Sequence, residues 1–304
     1  APDNRVNSRE EMTTPTSPVK AGKILDTLGA MQSSMTRVGK SIAQYVIASP
    51  HKVTQLSIAD LSEEVNAGEA SVIRFCRQLG YKGFQNFKME LAIELAMNDS
   101  DDNSTLLEAE IQKTDDAHTI GLKLQGAIST VLSETLNLLD MEQVERVVEA
   151  LHTCNCAYIF GVGASGLTAE EMKHKLMRIG LRVDALTNKH FMYMQAALLK
   201  VGDVAIGISH SGHSPETAHA LDLARQAGAT TVALTHNLGS PLSKVADITL
   251  INGNRQGRLQ GDSIGTKTAQ LFVLDLIYTL LVQRDPEAAR ANKLRTMDAL
   301  SMLK

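Results

Sequence analysis

The chain has 304 residues, of which 43% are hydrophobic and 21% charged, and its formal net charge is −4. This length predicts about two domains with separate cores, and the charge balance excludes a globally basic protein while leaving room for a local basic patch. Three cysteines are too few for a disulfide framework, which predicts a reducing compartment, the cytoplasm.

The amino-terminal segment 1–20 carries Pro, Ser, Thr and mixed charges without an apolar core, which predicts a flexible tail and no signal peptide. No stretch reaches the roughly 18 uninterrupted apolar residues that a membrane helix needs. The richest segment, 271–282, is interrupted by Asp275. We therefore expect no membrane partner.

Helical periodicity over 21–97 predicts a small all-helical domain. Its first clear helix is expected over 36–49, before a proline. Ser57 suits the N-cap of the next helix, with Asp60 at the third helical position. A tight turn is predicted at 66–68 because the segment Asn-Ala-Gly favours one.

A second short helix is predicted over 69–79, because its apolar residues recur at helical spacing and would bury one face. Two short helices joined by a tight turn are typical of a helix-turn-helix, whose second helix enters the DNA major groove. The alternative is a helical packing or dimerisation domain with a solvated charged face. The residues predicted to contact DNA are Ser71, Arg74, Arg77, Gln78, Lys82 and Lys88.

The segment 98–119 holds seven acidic residues against one lysine, which predicts an acidic linker that runs into the start of a helix. From 120 to 304, short apolar runs alternate with helix-like spans, which predicts a parallel sheet covered on both faces. Strands are expected at 157–162, 181–186, 203–208, 230–234 and 248–251, and helices at 167–179, 215–226 and 266–282. Ligands of such sheets collect at the carboxyl ends of the strands.

The cysteine pair Cys154 and Cys156 lies inside an apolar run. A metal site needs more ligands nearby, so the sequence favours buried strand residues over metal ligands. We predict no metal.

A glycine-rich segment, Gly161-Val-Gly-Ala-Ser-Gly166, follows the first predicted strand and opens a helix. Its spacing matches the dinucleotide fingerprint G-x-G-x-x-G, and Asp184, placed at the end of the second strand, is a candidate for binding a ribose. A dinucleotide-binding oxidoreductase is therefore one of the alternatives.

A second loop, Ser209-His-Ser-Gly-His-Ser214, follows the third predicted strand and also opens a helix. Its three serine hydroxyls, beside free helix amides, form a pattern that favours a phosphate site. The loop is not followed by the lysine that nucleoside triphosphate-hydrolysing loops carry, which argues against triphosphate hydrolysis. Two such loops on one sheet edge suit a small phosphorylated ligand, although serine and glycine caps that serve only the helices are the alternative.

These two loops together resemble the sugar isomerase (SIS) domain, which binds phosphosugars. The segment 65–84 resembles the helix-turn-helix of RpiR-type bacterial transcription regulators, a family that joins the two modules in this order. The resemblance implies an α/β fold in which a small all-helical helix-turn-helix domain, 21–97, precedes a flavodoxin-like parallel-sheet (SIS) domain, 120–304.

The resemblance also implies roles for particular residues. In the family, phosphate is held by the positions of Ser165, Ser209, Ser211 and Ser214, the last being threonine in many relatives. His190 is a candidate to bond a sugar hydroxyl, and Lys267 stands where related regulators carry a basic residue. For His190 and Lys267, an ordinary surface role is the alternative. The predicted effector-binding residues are Ser165, Ser209, Ser211, Ser214, His190 and Lys267.

An isomerase would need a general base over the sugar carbon. The nearby candidates Glu170, Glu171 and Glu216 are expected on helix surfaces, without a matched acid and base. The sequence therefore favours a ligand sensor without catalytic residues or cofactor over a phosphosugar isomerase with an accessory helical domain.

The predicted function is a bacterial regulator of sugar or amino-sugar metabolism genes that binds operator DNA and senses a phosphosugar. The family favours repression, relieved by the ligand, although it contains activators. Because symmetric operators are read by symmetric proteins, a homodimer or homotetramer is expected. Effector and DNA would then alter each other's affinity reciprocally.

Overall fold

The computed structural model describes residues 23–98, 112–253 and 264–301. The predicted tail and most of the predicted linker lie outside these residues. The described chain begins with α1 (Ile24–Met31), followed by a single 3-10 turn at Gln32–Ser34. It divides into two compact units, the first comprising 23–25 and 37–98 and the second comprising 26–36, 112–253 and 264–301.

The first unit is all helical. Its helices are α2 (Arg37–Ala48), α3 (Pro50–Gln55), α4 (Ile58–Glu64), α5 (Glu69–Gln78) and α6 (Phe84–Asn98). Phe87 lies at the centre of the packing, with its ring edge-on to Phe75 at 6.1 Å and to Tyr81 at 5.4 Å. The predicted helices at 36–49 and 69–79 are confirmed as α2 and α5.

After segment 26–36, the second unit continues with two helices, α7 (Ala117–Leu138) and α8 (Met141–Thr153). Helix α7 begins within the segment where the sequence predicted the start of a helix, whereas its extent and the whole of α8 were not predicted. Both are capped by aspartates: Asp116 accepts a hydrogen bond from the backbone of Thr119, and Asp140 accepts one from Glu142. Serine, threonine and glycine interrupt the apolar positions of α7, which obscures its helical period in the sequence.

A five-stranded parallel sheet follows, in the order β2-β1-β3-β4-β5, as predicted for a flavodoxin-like domain. Its elements are β1 (Ala157–Phe160), α9 (Ala164–Arg178), β2 (Val183–Leu186), α10 (Lys189–Ala197), β3 (Val204–Ile208), α11 (Pro215–Gln226), β4 (Thr230–Thr235), α12 (Pro241–Lys244), β5 (Ile248–Ile251), α13 (Ile264–Arg284) and α14 (Pro286–Ser301). One face of the sheet is covered by α8, α9 and α13, and the other by α10, α11 and α12.

The order of the strands creates one switch point. The chain passes from β1 to its neighbour β2 on one side, and from β3 to β4 on the other. The crevice at the carboxyl ends of β1 and β3 is therefore the place where ligands bind in open sheets of this kind. Phe160 of β1 pairs with Gly207 of β3, so the loops that follow both strands start side by side.

Among the described residues, one helix is long and apolar enough to cross a membrane by length and composition, Gly265–Arg284 within α13. Its residues Val273, Leu274 and Ile277 are buried in the core against the sheet.

Candidate functional site

The two helices of the predicted DNA-binding pair are fixed by local chemistry. The Ser57 Oγ accepts a hydrogen bond from the Asp60 backbone, while the Ser57 N–H donates to the Asp60 carboxylate, both at 3.1 Å. This capping box satisfies two amides at the start of α4. The Ser57 hydroxyl also donates to the Asp60 carboxylate at 2.6 Å, and this bond, with that from the Ser57 N–H, holds the pKa of Asp60 below its usual value. Asn66 turns the chain with a φ of +49°, and α5 begins after Gly68.

Helix α5 buries the predicted apolar face and exposes the opposite one. Arg74, Arg77 and Gln78 are exposed, and Ser71 is half-buried. Within the described ranges neither guanidinium group has a hydrogen-bond or ionic partner. Both are thus available to an outside anion such as the DNA backbone.

Two lysines follow α5, and the structure places them differently. Lys82 is exposed. The Lys88 ammonium is half-buried and donates to the carbonyl oxygen of Leu56 at 2.7 Å, which ties α6 to the end of α3. Lys88 therefore has a structural contact, and its predicted role at a DNA phosphate stays a prediction.

The first predicted phosphate loop connects β1 to α9. Gly163 occupies a φ of +58°, a conformation that favours glycine, and it serves as the N-cap without any side chain to bond the helix amides. Ser165 follows in the first turn and is half-buried, and among the described residues its hydroxyl has no partner. The helix amides and this hydroxyl are available together for an anion.

The second loop connects β3 to α11. The hydroxyls of Ser209 and Ser214 lie 3.0 Å apart, and the Gly212 N–H donates to the Ser209 Oγ at 3.2 Å. Ser211 is exposed and accepts from the His213 N–H at 3.2 Å. Ser214 is the N-cap of α11, yet its hydroxyl bonds none of the helix amides. Neither loop therefore uses its serines to cap the helix that follows.

The two other predicted effector residues come from separate elements. Lys267, near the start of α13, donates from its ammonium to the Ala164 carbonyl at 3.3 Å, so a cation lies at the first loop. His190 is exposed in the first turn of α10, where its backbone N–H is bound by the Asn188 side chain. The fold thus brings Lys267 beside Ser165, and it places His190 after β2, the strand next to β1.

The chain matches two family models, the helix-turn-helix domain of the rpiR family over residues 22–98 and the SIS domain over residues 150–280. It is 54% identical over 281 residues to an uncharacterized HTH-type transcriptional regulator of Haemophilus influenzae, an alignment that covers 92% of this chain and 97% of that protein. The chain belongs to the rpiR family of transcriptional regulators. As a member it has a helix-turn-helix unit and an SIS unit, as the sequence predicted.

Solved structures resemble this rpiR-family regulator over different lengths. The Vibrio vulnificus NanR protein complexed with ManNAc-6P is 27% identical, with a TM-score of 0.58, and the match covers 92% of this chain and 99% of NanR. The sugar isomerase domain of an RpiR transcription factor from Sphaerobacter thermophilus is 29% identical, with a TM-score of 0.55, over 59% of this chain and 98% of that one. A putative sugar-phosphate isomerase from Listeria monocytogenes, at 19% identity and a TM-score of 0.52, shows the fold alone.

The regulator's site also contains residues that the sequence analysis missed, in the loops after β4 and β5. His210 stacks on His236, and Asn252 contacts both rings. The Asn252 side-chain nitrogen lies 3.4 Å from His210 Nδ1, and the Asn252 backbone carbonyl accepts a hydrogen bond from His236 Nδ1 at 2.8 Å. Burial lowers the pKa of His210 to about 4 and also lowers that of His236, so both rings are neutral. His236 and Asn252 could have been found from their positions, because each directly follows a strand of the parallel sheet, as the two phosphate loops follow β1 and β3.

Two details of the sequence interpretation are wrong. Asp184 lies at the second position of β2, not at its end, and its carboxylate bonds the Lys173 ammonium at 2.8 Å. It is therefore away from the carboxyl edge where a ribose-binding acid would be needed. Cys154 and Cys156 are half-buried and precede β1 because the strand begins only at Ala157.

The carboxylates considered for proton transfer lie on helix surfaces. Within α9, Glu170 pairs with Lys173 at 3.7 Å and Glu171 pairs with Lys175 at 4.0 Å. Glu216 is half-buried in the first turn of α11. In the parts of the chain that the structure describes, no group of three histidine, cysteine or acidic residues could hold a metal ion.

Proposed function

We propose that this rpiR-family regulator binds operator DNA through α5 and senses a phosphorylated sugar at its SIS unit. The observation that carries the effector site is the second loop: two hydroxyls 3.0 Å apart, on Ser209 and Ser214, stand beside the unbonded amides that open α11. The first loop, with Ser165 and Lys267, starts from the adjacent strand. Hydroxyls, helix amides and one ammonium suit a phosphate dianion.

The sugar class is proposed from the sequence resemblance and from a relative. NanR of Vibrio vulnificus was solved with ManNAc-6P, which supports a sugar or amino-sugar phosphate as the effector of this chain. We propose accordingly that it regulates genes of sugar or amino-sugar metabolism, as a repressor released by the effector. His190 would bond a hydroxyl of the sugar.

The DNA-binding role of this unit is assigned to its exposed polar face. Arg74 and Arg77 would contact guanine edges or phosphates, with Gln78, Ser71 and Lys82 completing the contact. Because bacterial DNA lies in the cytoplasm, we propose that this regulator is cytoplasmic. A homodimer or homotetramer would present two of these helices to a symmetric operator.

A thermal-shift screen tests the effector site. The panel contains sugar phosphates including ManNAc-6P, with inorganic phosphate, the unphosphorylated sugars and NAD as controls. A ligand that binds the native state at a hundred times its Kd stabilises it by about 2.7 kcal/mol, a shift of several degrees. We expect one sugar phosphate to give this shift in the wild type and in Ser133→Ala, an exposed serine on α7.

The matched test variant is Ser209→Ala/Ser211→Ala, in which the shift should disappear. A shift with NAD alone would overturn the proposal. Turnover of the stabilising sugar phosphate, followed by product analysis, would replace the sensor with an isomerase. No response to any sugar phosphate would contradict the effector site while leaving the DNA-binding assignment to its own test.

A further inference from the structure

The loop that joins β4 to α12, residues 236–240, holds the second phosphate loop on one side. The Asn237 side-chain amide donates to the Ser211 carbonyl at 2.8 Å, and the His236 N–H donates to the His210 carbonyl at 3.0 Å. Ser240 lies directly against Gly212, where a Cβ would come within 2.2 Å of the serine Oγ. A shift of the phosphate loop must therefore displace residues 236–240 as well.

The same loop holds residues 26–36 on its other side. The Leu238 N–H donates to the Ala30 carbonyl at 3.0 Å, and a Cβ on Gly239 would lie 3.2 Å from the Cβ of Ser34. These contacts explain why 26–36 group with the SIS unit although they lie near the amino terminus.

Segment 26–36 is joined by peptide bonds to the helical unit at both ends. Leu25 precedes it and Arg37, the first residue of α2, follows it, and both are grouped with the helical unit. A displacement of this segment therefore acts on the backbone of the DNA-binding unit at two points.

We propose that residues 236–240 are the positioning element that couples the phosphate loop to segment 26–36, and through it to the helix-turn-helix. The inference rests on the proposed function and adds the residues that carry its regulation. Asn237 ties the element to the phosphate loop, and Leu238 ties it to segment 26–36. Because coupling is reciprocal, DNA bound at one end must alter effector affinity at the other by the same factor.

Hydrogen exchange of the full chain, followed by mass spectrometry of peptides, tests the coupling. The probes are inorganic phosphate and ManNAc-6P, each compared with chloride at equal ionic strength. In the wild type, a probe that slows exchange at 209–214 should also change exchange at 26–36. In Asn237→Ala, the change at 209–214 should persist and the change at 26–36 should fall at least threefold.

Asn155→Ala is the matched control, since Asn155 is exposed at the opposite end of the sheet. It should behave as the wild type does. If Asn237→Ala fails to fold, Asn237→Asp replaces it, because aspartate keeps the size and lacks the donor.

Each result decides between the two proposals. Slowed exchange at 209–214 with no change at 26–36 in the wild type would overturn the coupling and leave the sensor intact. The coupling would also be overturned if the Asn237 variant showed the same changes in exchange at 209–214 and at 26–36 as the wild type. If neither probe nor any sugar phosphate of the panel slows exchange at 209–214, the effector site fails and the coupling fails with it.

Discussion

The imidazole rings of His210 and His236 stack in parallel, with their centroids 5.3 Å apart and their planes inclined by 11°. One ring belongs to the second phosphate loop and the other to the first residue after β4. The bonds from Asn252 decide their tautomers: His236 donates from Nδ1, whereas His210 accepts at Nδ1 and so carries its proton on Nε2. The stack depends on both rings being neutral.

We expect the free energy of unfolding to fall as the pH drops from about 6.5 to about 4. In that range the unfolded chain takes up protons at ordinary histidines, while His210, with a pKa of about 4, stays neutral in the folded state. The loss attributable to His210 should be about 2–3 kcal/mol at pH 4. Urea unfolding at several pH values measures it.

The variant His210→Gln should make this pH dependence less steep, because glutamine does not titrate, and the remaining slope includes the contribution of His236, whose pKa is also lowered by burial. His152→Gln, an exposed position at the end of α8, is the matched control and should retain the wild-type slope. A slope in His210→Gln equal to that of the wild type would show that other groups cause the acid sensitivity.

Gly212→Ala should destabilise the SIS unit by about 2–4 kcal/mol and abolish the thermal shift with a sugar phosphate. The residue has a φ of +67°, which is strained for alanine, and a Cβ would meet Ser240 Oγ at 2.2 Å and Thr235 Oγ1 at 2.9 Å. Thermal unfolding with and without ligand provides the measurement.

Gly121→Ala is the matched control for that substitution. Gly121 lies within α7, and a Cβ there meets nothing within 4 Å. Alanine in a helix should raise stability by about 0.5–1 kcal/mol. Equal effects of the two substitutions would contradict the packing of the phosphate loop against Ser240.

Arg74→Ala and Arg77→Ala should each weaken binding to duplex DNA without changing the melting temperature. If an arginine contacts a phosphate, the slope of log affinity against log salt should fall by about 1; if it contacts a base, preference at one position should relax. Selection from a random duplex library followed by titration at several salt concentrations distinguishes these outcomes. Arg290→Ala, exposed on α14, should bind DNA as the wild type does.

Ser57→Ala should lower the stability of the helical unit by about 1 kcal/mol, because it removes the side-chain oxygen that caps α4. Ser57→Thr keeps that oxygen and should retain most of the stability. Chemical unfolding followed by circular dichroism compares the two. Equal losses in both variants would place the effect in packing around residue 57 and not in the cap.

Much of the local structure could be predicted from the sequence. Helix 215–226 and strand 248–251 match the structure at both ends, and the Ser57 cap was predicted with its partner Asp60. These boundaries are set by local features: a proline in the first helical turn, a cap, or an uninterrupted apolar run. Each of them acts over a few neighbouring residues, so the boundary can be predicted from the sequence alone. The extent of helix α7 could not be predicted this way because its stability comes from packing and its own period is weak.

The sequence determined which loops form the candidate site but not all of the residues that meet there. The serines of the second loop, Ser209, Ser211 and Ser214, lie within six residues of the chain, and the predicted place of both loops at the carboxyl edge follows from the alternation of strands and helices. Only the tertiary structure decided that Lys267 stands beside Ala164, that His210 meets His236, and that Asp184 lies away from the edge. These contacts depend on strand order and register, which are set by packing between residues distant in the chain and leave no local pattern.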